Sequence, residues 1–343
     1  MKLGIAGLPE EDLNLICVQS HPAIEVLRNK EILIYGGTGF IGTWLTAALL
    51  HADQQFNLKL KSKVITRNQS KAISKFGIHK SNIQFHQHDL ALKELKNNLT
   101  ADIVFIASTP TNASTGSLNT RDLVQASINV VSQATRIRSR NLGKPLIIHL
   151  SSGAVFGKQS MDYLFRNELD AVDEDSEEPY CQAKLIIENG LMSAYTQGLI
   201  DYQTPRLFAF LGPGLPLNSH FAIGNFVSDG IQNRKIVVKG NPMTRRSYLY
   251  PTDLIEILFR SLQLKEPVSL NIGSDTGITI ADLADKVSTL TSSLGVDFLN
   301  PDSKPSNYVP STINLKKHIA KKSYIDLDNS LEKWIEWLYT PKA

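Results

Sequence analysis

Five residues with strand character, Glu31-Ile32-Leu33-Ile34-Tyr35, run directly into Gly36-Gly37-Thr38-Gly39-Phe40-Ile41-Gly42, and a helical pattern from Thr43 to Ala52 follows. Strand, glycine turn and helix in that order leave few folds open. Gly36 permits the tight turn, Gly39 lets backbone approach a pyrophosphate with no Cβ in the way, and Gly42 lets helix and strand pack closely. The helix start adds free N–H groups and the positive end of its dipole. The turn, with Thr38, Phe40 and Ile41 inside it, therefore reads as a dinucleotide-binding element.

Beyond the turn, short β-branched runs alternate with longer helical patterns, which predicts an α/β chain with a Rossmann-type doubly wound parallel sheet. Strands are expected at Glu31–Tyr35, Lys63–Arg67, Ile83–Asp89, Asp102–Ala107, Leu146–Ser151, Thr204–Phe210 and Val268–Ile272. After Phe210 the texture changes to Leu-Gly-Pro-Gly-Leu-Pro, then a helical stretch, a short strand at Lys235–Lys239 and a Gly240-Asn241-Pro242 turn. The expected organisation is an N-terminal extension (1–30), a dinucleotide-binding domain (31–211, with a returning strand near 268–274), and a smaller C-terminal α+β substrate-binding domain (212–267 and 275–343). The extension carries an amphipathic stretch around Glu10–Cys17 and is expected on the sheet edge or against a partner subunit.

Charge narrows the partners. Lys+Arg 36 against Asp+Glu 33 leaves a net charge of only +3 in 343 residues. No field of that size gathers a polyanion, so nucleic acid is not an expected partner, while a local pocket for one phosphate group stays open. Cys17 and Cys181 are the two cysteines and neither sits in a CxxC pair. A disulfide framework and a zinc site are thereby excluded, and no metal is expected. The opening Met-Lys-Leu-Gly-Ile-Ala-Gly-Leu-Pro breaks its apolar run before an h-region forms, and no later segment is a long uncharged apolar run. The expectation is a cytoplasmic chain without signal peptide or membrane span.

The second expected strand ends Thr66-Arg67-Asn68, where an acidic residue normally holds a ribose 2′-OH and an Arg accommodates a 2′-phosphate. Arg67 thus argues for NADP, with NAD the other choice. Asp89, followed by Leu90 at the end of the third strand, is placed either to meet the adenine amino group or to cap a helix. The fifth strand delivers Ser151-Ser152-Gly153-Ala154-Val155-Phe156-Gly157 at its carboxyl end, the edge where open α/β sheets put their ligands. Further on, Tyr180 and Lys184 stand four apart in a helical pattern and so share a face. An adjacent ammonium and a cationic nicotinamide both favour the Tyr180 phenolate, which makes Tyr180 the acid/base and Ser152 the hydrogen-bond partner of the reacting oxygen.

These motifs, with Arg245-Arg246-Ser247-Tyr248-Leu249-Tyr250-Pro251-Thr252-Asp253 after them, resemble the extended short-chain dehydrogenase/reductase family, in its NAD(P)-dependent nucleotide-sugar epimerase/dehydratase branch. The resemblance covers about residues 31 to 340. It implies that Lys184 also holds the nicotinamide ribose, that Ala107 and Ser108 line the cofactor, and that Arg246 and Asn225 contact a nucleotide-diphosphate sugar. It also implies a homodimer through helices around Leu118–Arg138 and Tyr180–Thr196. Three departures stand out: Thr66-Arg67 where the family has a strand-end Asp, Gly153-Ala154 where 4,6-dehydratases carry an Asp-Glu pair, and Ala209 where an Asn often contacts the sugar. Dehydration then needs another carboxylate, such as Glu168, and uronic acid decarboxylation is disfavoured for the same reason. The expected activity is reduction of a 4-keto nucleotide-diphosphate sugar with NADPH; a 4-epimerase with tightly held NAD uses the same residues, and an idle NADP-binding scaffold or redox sensor is the non-enzymatic alternative.

Overall fold

A computed structural model describes residues 1–77, 82–89, 99–108, 120–141, 143–161 and 164–341. Strands β1 (Glu31–Tyr35), β2 (Lys61–Thr66), β3 (Ile83–Gln87), β4 (Ile103–Ile106) and β5 (Leu146–His149) form one sheet with a sixth strand, Asp201–Gln203. The spatial order is β3-β2-β1-β4-β5 and then Asp201–Gln203, with every neighbouring pair parallel. This is the doubly wound order whose switch point lies between β1 and β4, where a crevice opens at the carboxyl ends of the strands. β2 closes one residue before Arg67 and β3 two before Asp89, so both side chains sit in loops at that edge.

Alternation along the strands feeds two apolar layers. Ile32, Ile34, Val64, Phe105 and Ile148 join a core built on α2 (Phe40–Phe56). Leu33, Tyr35, Val104, Ile106 and Ile147 face the other way, with Val130 of α4 (Thr120–Arg136) and Ile187 of α5 (Pro179–Thr196) in the same cluster. The short α3 (Gln69–Phe76) follows β2; the Asn68 side chain caps it by accepting from the Lys71 N–H at 2.8 Å.

Two expectations are corrected. The strand expected at Thr204–Phe210 does not belong to the main sheet. Pro205 has no N–H to give a ladder; past it, Arg206–Leu207 lies between Ser151–Ser152 and Asn271–Ile272 in a separate three-stranded sheet, leaving Asp201–Gln203 to complete the main one. The N-terminal extension packs on helices and not on the sheet edge. Its helix α1 (Glu10–Ser20) buries Leu13, Ile16 and Cys17 against α2 and α7 (Pro251–Ser261). Polar ties hold it there: Tyr250 Oη donates to Asp12 Oδ2 at 2.7 Å, Lys333 pairs with Asp12 at 3.0 Å, and the Trp337 indole donates to Gly7 O at 2.8 Å.

The smaller α+β part has a core of its own. Phe226 and Val227 of α6 (Ala222–Ile231), Leu283 and Val287 of α8 (Ile280–Thr291), and Trp334 of α10 (Leu327–Tyr339) pack with Ile236 and Val238. The short strand Arg245–Arg246 lies between Ile278–Thr279 and Asn307–Tyr308, which brings residues far apart in sequence to one wall of the crevice. Among the described residues, no helix is long and apolar enough to cross a membrane.

Candidate active site

The glycine turn is built as its spacing demands. Gly36 has φ +78°, in the left-handed region, and a Cβ there would lie 2.8 Å from the Ser108 backbone N. A Cβ on Gly42 would fall 2.0 Å from Gly36 O, so Gly42 serves the packing of α2 on the turn and does not itself line the crevice. A Cβ on Gly39 would meet nothing nearer than 3.5 Å, which leaves its backbone open to an approaching ligand. Gly36, Thr38, Gly39, Phe40 and Ile41 line one wall of a cleft, joined by Arg67 after β2, Asp89 after β3, and Ala107 and Ser108 after β4. Among the described residues the buried Ser108 hydroxyl has no hydrogen-bond partner, and Ser108 lines the cleft. Leu90 lies outside the described residues. These residues fit a dinucleotide.

Across the cleft stand Ser152, Tyr180 and Lys184. Ser152 follows β5, and its Oγ accepts the Ala154 N–H at 3.1 Å, capping the 3-10 turn Gly153–Phe156. Pro179 occupies the first turn of α5, where its missing N–H costs nothing. Tyr180 and Lys184 then lie one turn apart, with the Lys184 ammonium 5.6 Å from the centre of the Tyr180 ring. Lys184 is only 3% exposed and donates to Leu150 O at 2.5 Å. Burial pushes it down from 10.5 to about 7, against an opposing pull from Glu188. Glu188 is itself engaged: it accepts from the Ser151 hydroxyl and pairs with Arg206 at 2.9 Å. Next to this pair, His149 is fully buried, and burial and the Lys184 charge lower it well below its ordinary value, against an opposing backbone hydrogen bond at Ile106.

Several side chains here carry no sequence signal. Tyr308 comes from the loop-rich segment before α9 (Ile313–His318), yet its hydroxyl lies 3.4 Å from Ser152 Oγ. Burial pushes Tyr308 far up, so it stays a phenol. Its ring packs on Phe208 at 4.7 Å between centroids. Phe208 in turn explains Gly153: a Cβ there would come within 2.7 Å of the Phe208 ring. The position that carries the first acid of a dehydratase pair is thus filled by an aromatic ring. Glu168 does not replace that pair, because its Oε1 accepts the Asn271 N–H at 2.9 Å and it does not line the cleft. Among the described residues the carboxylates lining the cleft are Asp89 and Asp122.

Asn225 and Arg246 face the same cleft from the smaller part of the molecule. Asn225 Nδ2 donates to Ser219 O at 2.9 Å. Arg246 donates to Ser306 Oγ at 3.2 Å and to Arg245 O at 2.8 Å, and burial lowers it from its ordinary value. Ala209 also lines the wall, with a methyl where an Asn side chain would reach further. The cleft measures about 1930 Å³. A pocket for one small ligand is typically ~300–1,000 Å³, so there is room for a dinucleotide and a second ligand side by side.

Comparison with known proteins agrees with this geometry. UDP-glucuronic acid decarboxylase 3 of Arabidopsis thaliana is 22% identical over 273 residues, covering 76% of this chain and 75% of that protein. Among solved structures, UDP-N-acetylglucosamine 4-epimerase from Methanobrevibacter ruminantium M1, in complex with UDP-N-acetylmuramic acid, superposes with a TM-score of 0.74 at 22% identity, covering 91% of this chain and 98% of that one. UDP-glucuronic acid 4-epimerase from Bacillus cereus, in complex with UDP-glucuronic acid and NAD, superposes with a TM-score of 0.70 at 18% identity, covering 90% and 98%. The model of the NAD dependent epimerase/dehydratase family matches residues 32–273, from the first strand through the glycine turn and both cleft walls to the end of the returning strand, and the chain belongs to that family of enzymes.

Proposed function

We propose that this enzyme reduces a 4-keto nucleotide-diphosphate sugar and spends NADPH in doing so. The observation that carries the reading is the loop after β2, where Arg67 lines the cleft and no acid stands to hold a ribose 2′-OH. A cofactor bearing a 2′-phosphate suits a reaction that consumes it. The glycine turn would hold its diphosphate on backbone N–H groups, Arg67 its 2′-phosphate, Asp89 the adenine, and Ala107, Ser108 and Lys184 the nicotinamide half. Bound there, NADPH supplies the hydride.

The chain's own residues do the rest. Tyr180 gives its phenolic proton to the sugar O4 as negative charge develops on it, while the Ser152 hydroxyl donates a hydrogen bond to the same oxygen. The Lys184 ammonium, held on Leu150 O one turn along α5, stabilises the phenolate left on Tyr180. Arg246 and Asn225 hold the nucleotide-diphosphate arm. The Phe208 ring over Gly153 leaves no side chain, and so no carboxylate, directly after Ser152, which supports net reduction over dehydration or decarboxylation.

The test is to denature the purified protein, identify any released dinucleotide by mass, and follow nicotinamide absorbance with 4-keto nucleotide-sugars. Released NADP, or an empty site that prefers NADPH, together with stoichiometric NADPH consumption supports the reductase. Released NAD with interconversion of C4 epimers and no net consumption replaces it with the 4-epimerase.

A further inference from the structure

Helix α3 presents Lys71 and Lys75 one turn apart, and both line the cleft beside Arg67. Among the described residues none of the three has a carboxylate within ion-pair distance. By contrast Lys63, Lys321 and Lys333, also drawn in from solvent, pair with Glu31, Asp253 and Asp12 at 2.9, 2.9 and 3.0 Å. Lys75 is half-buried, and its ammonium donates to a neutral group, Thr43 Oγ1, at 2.8 Å. Thr43 lies in the first turn of α2, where the helix dipole is positive and a cation is disfavoured. Burial and the Lys71 charge both push Lys75 below its ordinary value. Desolvation and a like charge at i−4 act against this ammonium, the start of α2 adds to them while the end of α3, where Lys75 stands, favours a cation, and one anion between α3 and the glycine turn would relieve the desolvation and the repulsion.

We propose that Lys71 and Lys75 complete, with Arg67, a cationic clamp for the ribose 2′-phosphate of NADP. The inference rests on the NADPH reading above and adds to it the residues that read the phosphate. Arg67 offers a planar fork from the loop, whereas the two lysines offer point charges from the helix that follows. The cofactor diphosphate is common to NADP and NAD, so the pair of dinucleotides separates a 2′-phosphate site from a diphosphate site.

The experiment measures equilibrium Kd for NADPH and NADH on the full chain, for the wild type and for Lys71→Met, Lys75→Met, Lys75→Arg and Arg67→Ala. Each Met variant is expected to weaken NADPH about tenfold and to leave NADH within about twofold, as for loss of one charge-assisted hydrogen bond. Lys75→Arg should recover most of the loss, and unchanged NADH binding shows that the variants are folded. Equal weakening of both dinucleotides would assign the lysines to the diphosphate and overturn the proposal, as would Met variants that bind NADPH like the wild type. If Arg67→Ala alone abolished an NADPH preference, the NADPH reading would stand and the lysine clamp would fall. A wild type that binds NADH more tightly overturns both.

Discussion

Replacing Lys184 by Met tests whether a buried charge has been traded against stability at the heart of the cleft. The side chain is 3% exposed and its ordinary value of 10.5 drops to about 7. That difference sets on the order of 5 kcal/mol against the charged form in the folded state. Below about pH 7 the folded protein must carry the ammonium at full penalty. Between the two values the unfolded chain binds the proton and the folded chain does not, so stability rises with pH. Integrated from about pH 6 to pH 9, the wild type should gain on the order of 2–3 kcal/mol relative to a chain without the group. Met keeps the length of the stem and removes the charge. Urea unfolding at the two pH values, followed by circular dichroism, should show a stability advantage of Lys184→Met at the lower pH that shrinks by this amount at the higher. Parallel pH dependence in the two proteins would refute the reasoning, because it would mean the ammonium is solvated or paired in the fold.

Further outcomes follow from the same geometry. Tyr180→Phe should lower turnover by about 10²–10⁴ while dinucleotide affinity stays within about threefold, as for loss of a general acid; equal loss of affinity would make Tyr180 a binding residue only. Gly153→Ala drives a methyl to within 2.7 Å of the Phe208 ring and should destabilise the fold by about 1–3 kcal/mol in thermal melts. Because Phe208 carries Tyr308, its turnover should fall too, and pairing it with Phe208→Leu should recover stability. Tyr250→Phe removes the 2.7 Å hydrogen bond to buried Asp12 and should cost about 1–3 kcal/mol with turnover unchanged. Impaired turnover in that variant would show that the N-terminal helix reaches the cleft after all.

What could be read from the chain was whatever depends on neighbours in sequence. The turn Gly36 to Gly42 needs β1 before it and α2 after it, and all three are adjacent in the chain. Tyr180 and Lys184 likewise need only one helical turn. Tyr308 is different, because it reaches Ser152 through the pairing of Asn307–Tyr308 with Arg245–Arg246, a long-range register that local pattern does not encode. Phe208 is similar: Gly153 reads locally as a lost acid, and only the packing shows why a side chain is excluded there. The misplaced sixth strand has a local cause, since the apolar run at Leu207–Phe210 outweighed the break that Pro205 imposes.

The two faces of the main sheet divide the work of the molecule. On one face, Trp44, Leu45, Leu254, Ile257 and Phe259 form an apolar layer between sheet and helices, α1 adds Leu13 and Ile16 outside it, and the charges buried there are paired, Lys321 with Asp253 at 2.9 Å and Lys333 with Asp12 at 3.0 Å. On the other, toward α4 and α5, the buried set includes Gln133, His149, Lys184 and Glu188, with Tyr35 Oη donating to Gln133 at 3.2 Å. Polar groups taken out of water are costly unless fully paired, and among the described residues Gln133 Nε2 has no partner. A chain that keeps a desolvated ammonium on one face gains from a thicker apolar layer on the other. At about 25 cal/mol per Å², burying a few aliphatic side chains such as Leu13 and Ile16 supplies several kcal/mol, the same order as the Lys184 penalty. Deleting residues 1–20 should therefore lower the melting temperature and expose the apolar surface of α2 and α7, while any protein that stays folded keeps its affinity for the dinucleotide.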